Sequence, residues 1–253
     1  MSALAHFSLE GRTALVTGGS RGIGKAIALS LADAGADVVL AVRDGNGIDT
    51  QNALTEIGRY AGTITVDLAD ARATSAAAHE LAHSRSIDIL VNNAGHISRG
   101  PAVDVTPEEW AGVVDVNLTA AFLLSQAIGA LMVERGRGKI INVASLLSFQ
   151  GGIGVASYAA SKHGLQGLTR ALSNEWASSG VQVNAIAPGY IATDNTAPLR
   201  SDEARASEIL GRIPSGRWGE ASDIGGAAIF LASSASDYVT GHTLVVDGGW
   251  MAR

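Results

Sequence analysis

Three side chains in one stretch of the sequence, ASLLSFQGGIGVASYAASK, carry groups that can move a proton. Tyr158 stands four residues before Lys162 and thirteen after Ser145. Residues four apart share one face of a helix, and here phenol and ammonium would lie about 6 Å apart along its axis. A free phenol, with a pKa of about 10, is a poor proton shuttle at neutral pH. A neighbouring ammonium favours the phenolate, and a second cation adds to the effect. Bringing the phenol to neutrality takes about 4 kcal/mol of preferential stabilisation. An exposed surface pair does not supply that, whereas a desolvated site with two cations does. A serine hydroxyl at the same place would hold an oxygen on which charge develops. Most pairs at this spacing are plain surface or packing residues, so their surroundings decide.

The elements that must position them alternate along the chain. Short, β-branched apolar runs at 13–17, 37–42, 63–66, 87–91, 139–144, 181–187 and 243–247 predict strands. They lack polar alternation, which suits strands covered on both faces. Between the first two, residues 22–34 carry Ile23, Ile27 and Leu31 on one helical stripe. Thr106, Pro107 and Glu109 form a helix-start pattern that predicts a helix over 107–134, and another is expected over 157–177. No repeat, low-complexity tract or linker divides the chain. The prediction is a single-domain, Rossmann-type α/β fold over 1–253, a doubly wound parallel sheet with helices on both faces. Ligands bind such sheets beyond the carboxyl ends of the strands, where the strand order reverses. Ser145 is expected as the last residue of its strand, at that edge.

Directly after the first strand comes GGSRGIG. Gly18, Gly22 and Gly24 allow a tight turn and close approach to a pyrophosphate, and the following helix presents its N–H groups. The spacing is a variant of the dinucleotide fingerprint, with Ser20, Arg21 and Ile23 as accompanying contacts. At the end of the third strand Asp67 is placed to accept from an adenine amino group, with Leu68 beside it. At the end of the fourth, Asn93, Ala94 and Gly95 border the same groove.

TGGSRGIG, NNAG, Ser145, SYAASK and APGYIAT follow in an order and at a spacing that resembles the short-chain dehydrogenase/reductase family, across essentially the full chain. The resemblance implies hydride transfer to or from a nicotinamide, with Tyr158 as general acid/base. It implies that Asn117, in DVNLT, completes a tetrad with Ser145, Tyr158 and Lys162 by holding a water in a proton relay. It further implies that Tyr158 and Lys162 contact the cofactor, Lys162 at the nicotinamide ribose, and that Pro188, Gly189, Ile191 and Thr193 flank the nicotinamide. A homotetramer packed through the two long helices is implied as well.

Members that favour NAD resemble one another in an acidic residue at the end of the second strand. Here that position is Val42, followed by Arg43, and Arg21 adds a second guanidinium, partly offset by Asp44. Guanidinium suits a 2′-phosphate, so NADP is the expected cofactor, with NAD as the alternative. SLLSFQGG, NEWA, NAIAPGYIAT, RIPSGRWG and DGGWMAR resemble dehydrogenases of the 2-keto-3-deoxygluconate/2-deoxygluconate type and the related gluconate 5-dehydrogenases, which implies a small sugar acid. Arg99 is the candidate carboxylate anchor, Gln150 and Asn195 are candidate hydroxyl partners, and His96 is placed in the pocket lining. Residues 191–212 are expected to form a lid. A 3-oxoacyl-carrier-protein reductase would share the tetrad but needs a basic patch for its acidic carrier. A non-catalytic dinucleotide sensor commonly loses a tetrad member, and all four are present.

Composition narrows the rest. Apolar residues make up 47% and charged residues 17%, as in soluble globular proteins, and a net charge of −6 without a basic run argues against nucleic-acid partners. No leader pattern and no unbroken apolar run of about 18 residues is seen, so no membrane association is expected. The absence of cysteine excludes disulfides and thiolate chemistry and fits a cytoplasmic setting. His79 and His83 have helical spacing but no third ligand, so no metal is expected.

Overall fold

Strand pairing organises the molecule, in a computed structural model that describes residues 3–45 and 47–253. Among the described residues, seven parallel strands form one sheet: β1 (Thr13–Thr17), β2 (Asp37–Val42), β3 (Tyr60–Thr65), β4 (Ile89–Asn92), β5 (Gly138–Val143), β6 (Val181–Pro188) and β7 (Thr243–Val246). Their order is β3-β2-β1-β4-β5-β6-β7, so the direction of winding reverses between β1 and β4. The helices between them are α1 (Gly22–Asp33), α2 (Ile48–Ile57), α3 (Ala71–Ser84), α4 (Pro107–Val114), α5 (Ala120–Arg135) and α6 (Ala156–Trp176). After β6 come α7 (Ala197–Ser201), α8 (Glu203–Arg212) and α9 (Gly225–Ala232).

The sheet is covered on both faces, which is why its strands read as continuous apolar runs. Along β1, Ala14 and Val16 pack with Ile27 and Leu31 of α1 and Leu231 of α9. Leu15, between them, faces the other way, toward Leu81 of α3, Leu124 and Met132 of α5 and Leu172 of α6. Each fully buried leucine or isoleucine contributes about 1.5–3 kcal/mol, which holds the strand ends in register.

Four local differences from the sequence pattern bear on function. β3 starts at Tyr60, before its apolar run, because Gly62 at φ 126° takes up a register shift opposite Val38 and Val39. β5 stops at Val143, so Ser145 lies beyond the strand and instead opens the turn Leu146–Ser148, its Oγ accepting from the Leu147 N–H at 3.2 Å. The helix expected over 107–134 begins as predicted, with a capping box between Thr106 and Glu109. It is then interrupted by a π turn over Asp115–Thr119, which separates α4 from α5. The combined helix Pro107–Arg135 is also long and apolar enough to cross a membrane by length and composition, which the broken run of apolar letters did not suggest. Half of its most apolar window is buried inside the fold.

Candidate active site

The β5–α6 connection brings the serine and the tyrosine together. The hydroxyl of Ser145 acts on that of Tyr158, pulling its pKa down, and Tyr158 is half-buried on the first turn of α6. One helical turn on, Lys162 is buried, with its Nζ donating to the Val143 carbonyl at 2.7 Å and 5.6 Å from the Tyr158 ring centre. Asn117 sits in the π turn. Its Oδ1 accepts from the His96 N–H at 2.7 Å, and its Nδ2 donates to the His96 carbonyl and to Ser161 Oγ, each at 3.0 Å. π turns recur at functional sites because they re-aim one residue out of the regular ladder. Here the turn aims Asn117 at the loop after β4, so that a Cβ on Gly95 would touch both Asn117 Oδ1 (3.6 Å) and Lys162 Nζ (3.8 Å).

The electrostatics differ from the sequence expectation that Lys162 lowers the phenol's pKa. Burial pushes Tyr158 above its ordinary value, and the pull the other way comes from the Ser145 hydroxyl and the charge of Arg99. Lys162 is itself pushed down to about 8 by burial. The ammonium is spent on a main-chain carbonyl, and desolvation costs both groups their charged forms.

At the ends of β1 and β4 the main chain closes around the glycines. Gly18 and Gly22 have positive φ (63° and 54°), and a Cβ on Gly24 would lie 2.2 Å from the Gly18 carbonyl oxygen and 2.3 Å from Asn93 Nδ2. Asn93 therefore shapes the turn, its amide donating to the carbonyls of Thr17 (2.9 Å) and Gly18 (3.2 Å). Thr17 Oγ1, which the sequence did not single out, accepts from the N–H groups of Asn93 and Ala94. Arg21 precedes α1 without a side-chain cap, whereas Asp70 and Thr106 cap α3 and α4. The first-turn N–H groups of α1 are thus left for an anion, and the cradle fits a pyrophosphate. Gly24→Ala is expected to lower the thermal midpoint by about 2–10 °C. Its dinucleotide affinity, read by fluorescence titration, should fall about tenfold or more; wild-type affinity would show that the turn yields without consequence.

Other members of the expected groove fall around this cradle. Thr50 Oγ1 donates to the Ser20 carbonyl, tying the start of α2 to the glycine turn. Arg43 follows the end of β2 and is exposed, 3.9 Å from the Asp44 carboxylate. Ile23 packs against the α1 side of the core and Leu68 against the opposite one. Asp67 is exposed, one oxygen accepting from the Ala69 N–H at 3.0 Å. Pro188 ends β6, Gly189 lies so close to β7 that a Cβ would meet Asp247 at 2.6 Å, and Ile191 is buried.

The segment 193–196 ties both sides of the cleft. Asp194 pairs with Arg21 at 3.0 Å, and the Asn195 carbonyl accepts from Arg99 at 2.8 Å. A Cβ on Gly22 would come within 3.5 Å of Thr193. Asn195 and His96 are exposed. Gln150 accepts at Oε1 from the Trp250 indole N–H at 3.3 Å. Asp194 and Trp250 were missed by sequence reasoning, since each meets its partner only across the fold. Among the described residues no three metal-ligating side chains cluster.

Comparison with known proteins adds names to this geometry. The family described as enoyl-(acyl carrier protein) reductase matches residues 18–251. The 2-dehydro-3-deoxy-D-gluconate 5-dehydrogenase of Bacillus subtilis is 56% identical over 247 residues, covering 98% of this chain and 97% of that protein. A structure from Beutenbergia cavernae, with NADP bound at low occupancy, superposes with a TM-score of 0.96 at 52% identity, covering 98% of this chain and 100% of that one. The gluconate 5-dehydrogenase of Burkholderia cenocepacia, in complex with NADP and tartrate, gives 0.94 at 41% identity, covering 99% of each chain.

Proposed function

The chain belongs to the short-chain dehydrogenase/reductase family, and on that premise we propose that it interconverts a secondary hydroxyl and a ketone on a small sugar acid, with NADP preferred over NAD. It is an NAD(P)-dependent oxidoreductase. The observation that carries the substrate class is the convergence at Tyr158. A hydroxyl pair suited to an alcohol or ketone oxygen feels the charge of Arg99, which suits a carboxylate. The relatives named for 2-dehydro-3-deoxy-D-gluconate and gluconate, and the one holding tartrate, support the same class.

Gly18, Ser20, Gly22, Ile23 and Gly24 would hold the pyrophosphate, Arg21 and Arg43 a 2′-phosphate, and Asp67 and Leu68 the adenine. Asn93, Ala94 and Gly95, with Pro188, Gly189, Ile191 and Thr193, would border the rest of the dinucleotide, and Lys162 and Tyr158 its ribose. When bound, the nicotinamide supplies or accepts the hydride. Tyr158 gives its phenolic proton to the ketone oxygen as the alcohol forms and takes it back in the reverse direction. Ser145 donates to the same oxygen and steadies the charge that develops there. Arg99 anchors the carboxylate, with Gln150, Asn195 and His96 as further substrate contacts. Both hydrogens of the Asn117 amide are already given away, so a water held by Asn117 in a relay toward Lys162 would be bound through an acceptor oxygen of that residue.

Steady-state reduction of 5-ketogluconate and of a 2-keto-3-deoxygluconate-type diketo acid, with NADPH and NADH in parallel, tests this reading. Turnover with NADPH preferred is the expected result; no turnover of either acid overturns the substrate class. Arg43→Asp should then shift the NADPH/NADH ratio of kcat/KM by about tenfold or more toward NADH, since a carboxylate repels a 2′-phosphate. An unchanged ratio removes Arg43 from cofactor selection. The 3-oxoacyl-carrier-protein reductase is the second reading, kept by a structure of that name that is 33% identical with a TM-score of 0.92. A homotetramer is part of the proposal, supported by Trp110 on α4 and Phe122 on α5, large apolar side chains left at the surface of the long helices. Sedimentation equilibrium should give a tetramer mass, and a monomer would refute it.

A further inference from the structure

We propose that Trp250, near the end of the chain, is a positioning residue that fixes how Gln150 reads the substrate's carboxylate. The inference rests on the sugar-acid reading above. An indole N–H can only donate, so the Gln150 atom facing it at 3.3 Å must be the amide oxygen. That settles the amide's orientation, which distance alone leaves open in most glutamines. With Oε1 engaged, only the two N–H donors of Nε2 remain, and no protein group among the described residues accepts from them. A side chain that offers donors alone selects an acceptor. On a keto sugar acid such as 5-ketogluconate, the groups that accept without donating are the reacting ketone, which Tyr158 and Ser145 take, and the carboxylate, whereas each hydroxyl can serve either way. Gln150 lies five residues after Ser145, its N–H donating to the Leu146 carbonyl at 3.1 Å, so the donor is rigidly tied to the turn that carries Ser145.

Trp250 is held as a positioning residue needs to be. The two oxygens of Asp247 accept from the N–H groups of Gly249 and Met251, each at 2.8 Å, and Gly249 takes a positive φ of 92° to place the indole. The ring is 6% exposed and packs in one cluster with Leu146, Ile209 and Ile213. The Arg212 guanidinium, at the end of α8, lies 4.1 Å over the ring, and the Tyr190 ring is 4.6 Å away. The indole thus joins the Ser145 turn to α8 and leaves its one polar atom for Gln150.

Trp250→Phe keeps an aromatic ring in the cluster but removes the donor and the smaller ring of the indole, so the thermal midpoint is read beside the kinetics. In the full-length enzyme with NADPH, KM for 5-ketogluconate should rise about tenfold, the scale of one hydrogen bond to a charged group, with kcat falling less than threefold. Gln150→Glu still accepts from the indole but places a negative charge against the carboxylate, and should raise KM about thirtyfold or more. In Trp250→Phe/Gln150→Leu, the KM effects of the two single variants should not multiply, because both remove the same contact. Equal losses in KM and kcat with a lowered thermal midpoint, or multiplying effects, would show that Trp250 merely packs. A KM unchanged or improved in Gln150→Glu would show that Gln150 meets a hydroxyl, and the proposal falls. Wild-type turnover of 5-ketogluconate separates these failures from failure of the sugar-acid reading; without that turnover both fall together.

Discussion

Tyr158→Phe should retain the fold and the dinucleotide affinity and lose about 10³–10⁴-fold in kcat, the scale of a removed general acid at the reacting oxygen. The substitution deletes one oxygen from a half-buried ring, so packing on α6 is kept. The partner left behind, Ser145 Oγ, still accepts from the Leu147 N–H. Because burial holds the phenol above its ordinary pKa, the protonated form dominates through the neutral range. Ketone reduction, which needs that proton, is therefore expected to run well at neutral pH. Alcohol oxidation should climb as pH rises toward the phenol's pKa, and this climb should be absent in the variant. Stopped-flow single turnovers in both directions separate chemistry from release. Retention of more than a tenth of the wild-type rate would mean that another group carries the proton.

Lys162→Met separates stability from catalysis. The wild-type ammonium is buried with its pKa pushed down to about 8 from an ordinary 10.5, a cost to the folded state of about 3 kcal/mol. That cost is fully present below pH 8, where folded and unfolded chains both hold the proton. It is relieved between about 8 and 10.5, where the unfolded chain binds the proton more tightly and stability climbs with pH. Methionine keeps most of the volume and carries no charge, but leaves the Val143 carbonyl without its donor at a cost of about 1–3 kcal/mol. At pH 7 the variant should be as stable as wild type or up to about 2 kcal/mol more so, while kcat falls about 10³-fold. The stability advantage should vanish by pH 10.5. Denaturant titrations across that range read it directly, and a variant clearly less stable at pH 7 would show that the ammonium is a net support of the fold.

Local patterns in the sequence carried much of this site, and tertiary contacts carried the remainder. Tyr158 and Lys162 were legible because helical spacing alone puts them on one face, and the glycine turn because only glycine tolerates the backbone at 18 and 22 and the contact at 24. The strands were legible because burial on both faces leaves runs without polar interruption. The π turn at Asn117 was not, since one shifted backbone hydrogen bond leaves the apolar periodicity of 107–134 intact. The Arg21–Asp194 pair joins residues 173 apart, and Gln150–Trp250 residues 100 apart; no periodicity reports such meetings. The pull of Lys162 on the Tyr158 phenol was overestimated for the same reason: the two are neighbours on one helix face, but the ammonium's partner in space is the Val143 carbonyl.

The segment 193–196 answers to two masters. Arg21, beside the glycine cradle, is taken by Asp194, and Arg99, beside the tyrosine, by the carbonyl of Asn195. A phosphate that claims the first guanidinium must draw it from the aspartate, and a carboxylate that claims the second must draw it from the peptide. Whichever arrives first loosens the hold that the other would have to break. The work of freeing the segment is then shared, and thermodynamics requires the sharing to be equal in both directions. On the proposed reading, whatever factor the dinucleotide lends to the affinity for the acid, the acid returns to the dinucleotide.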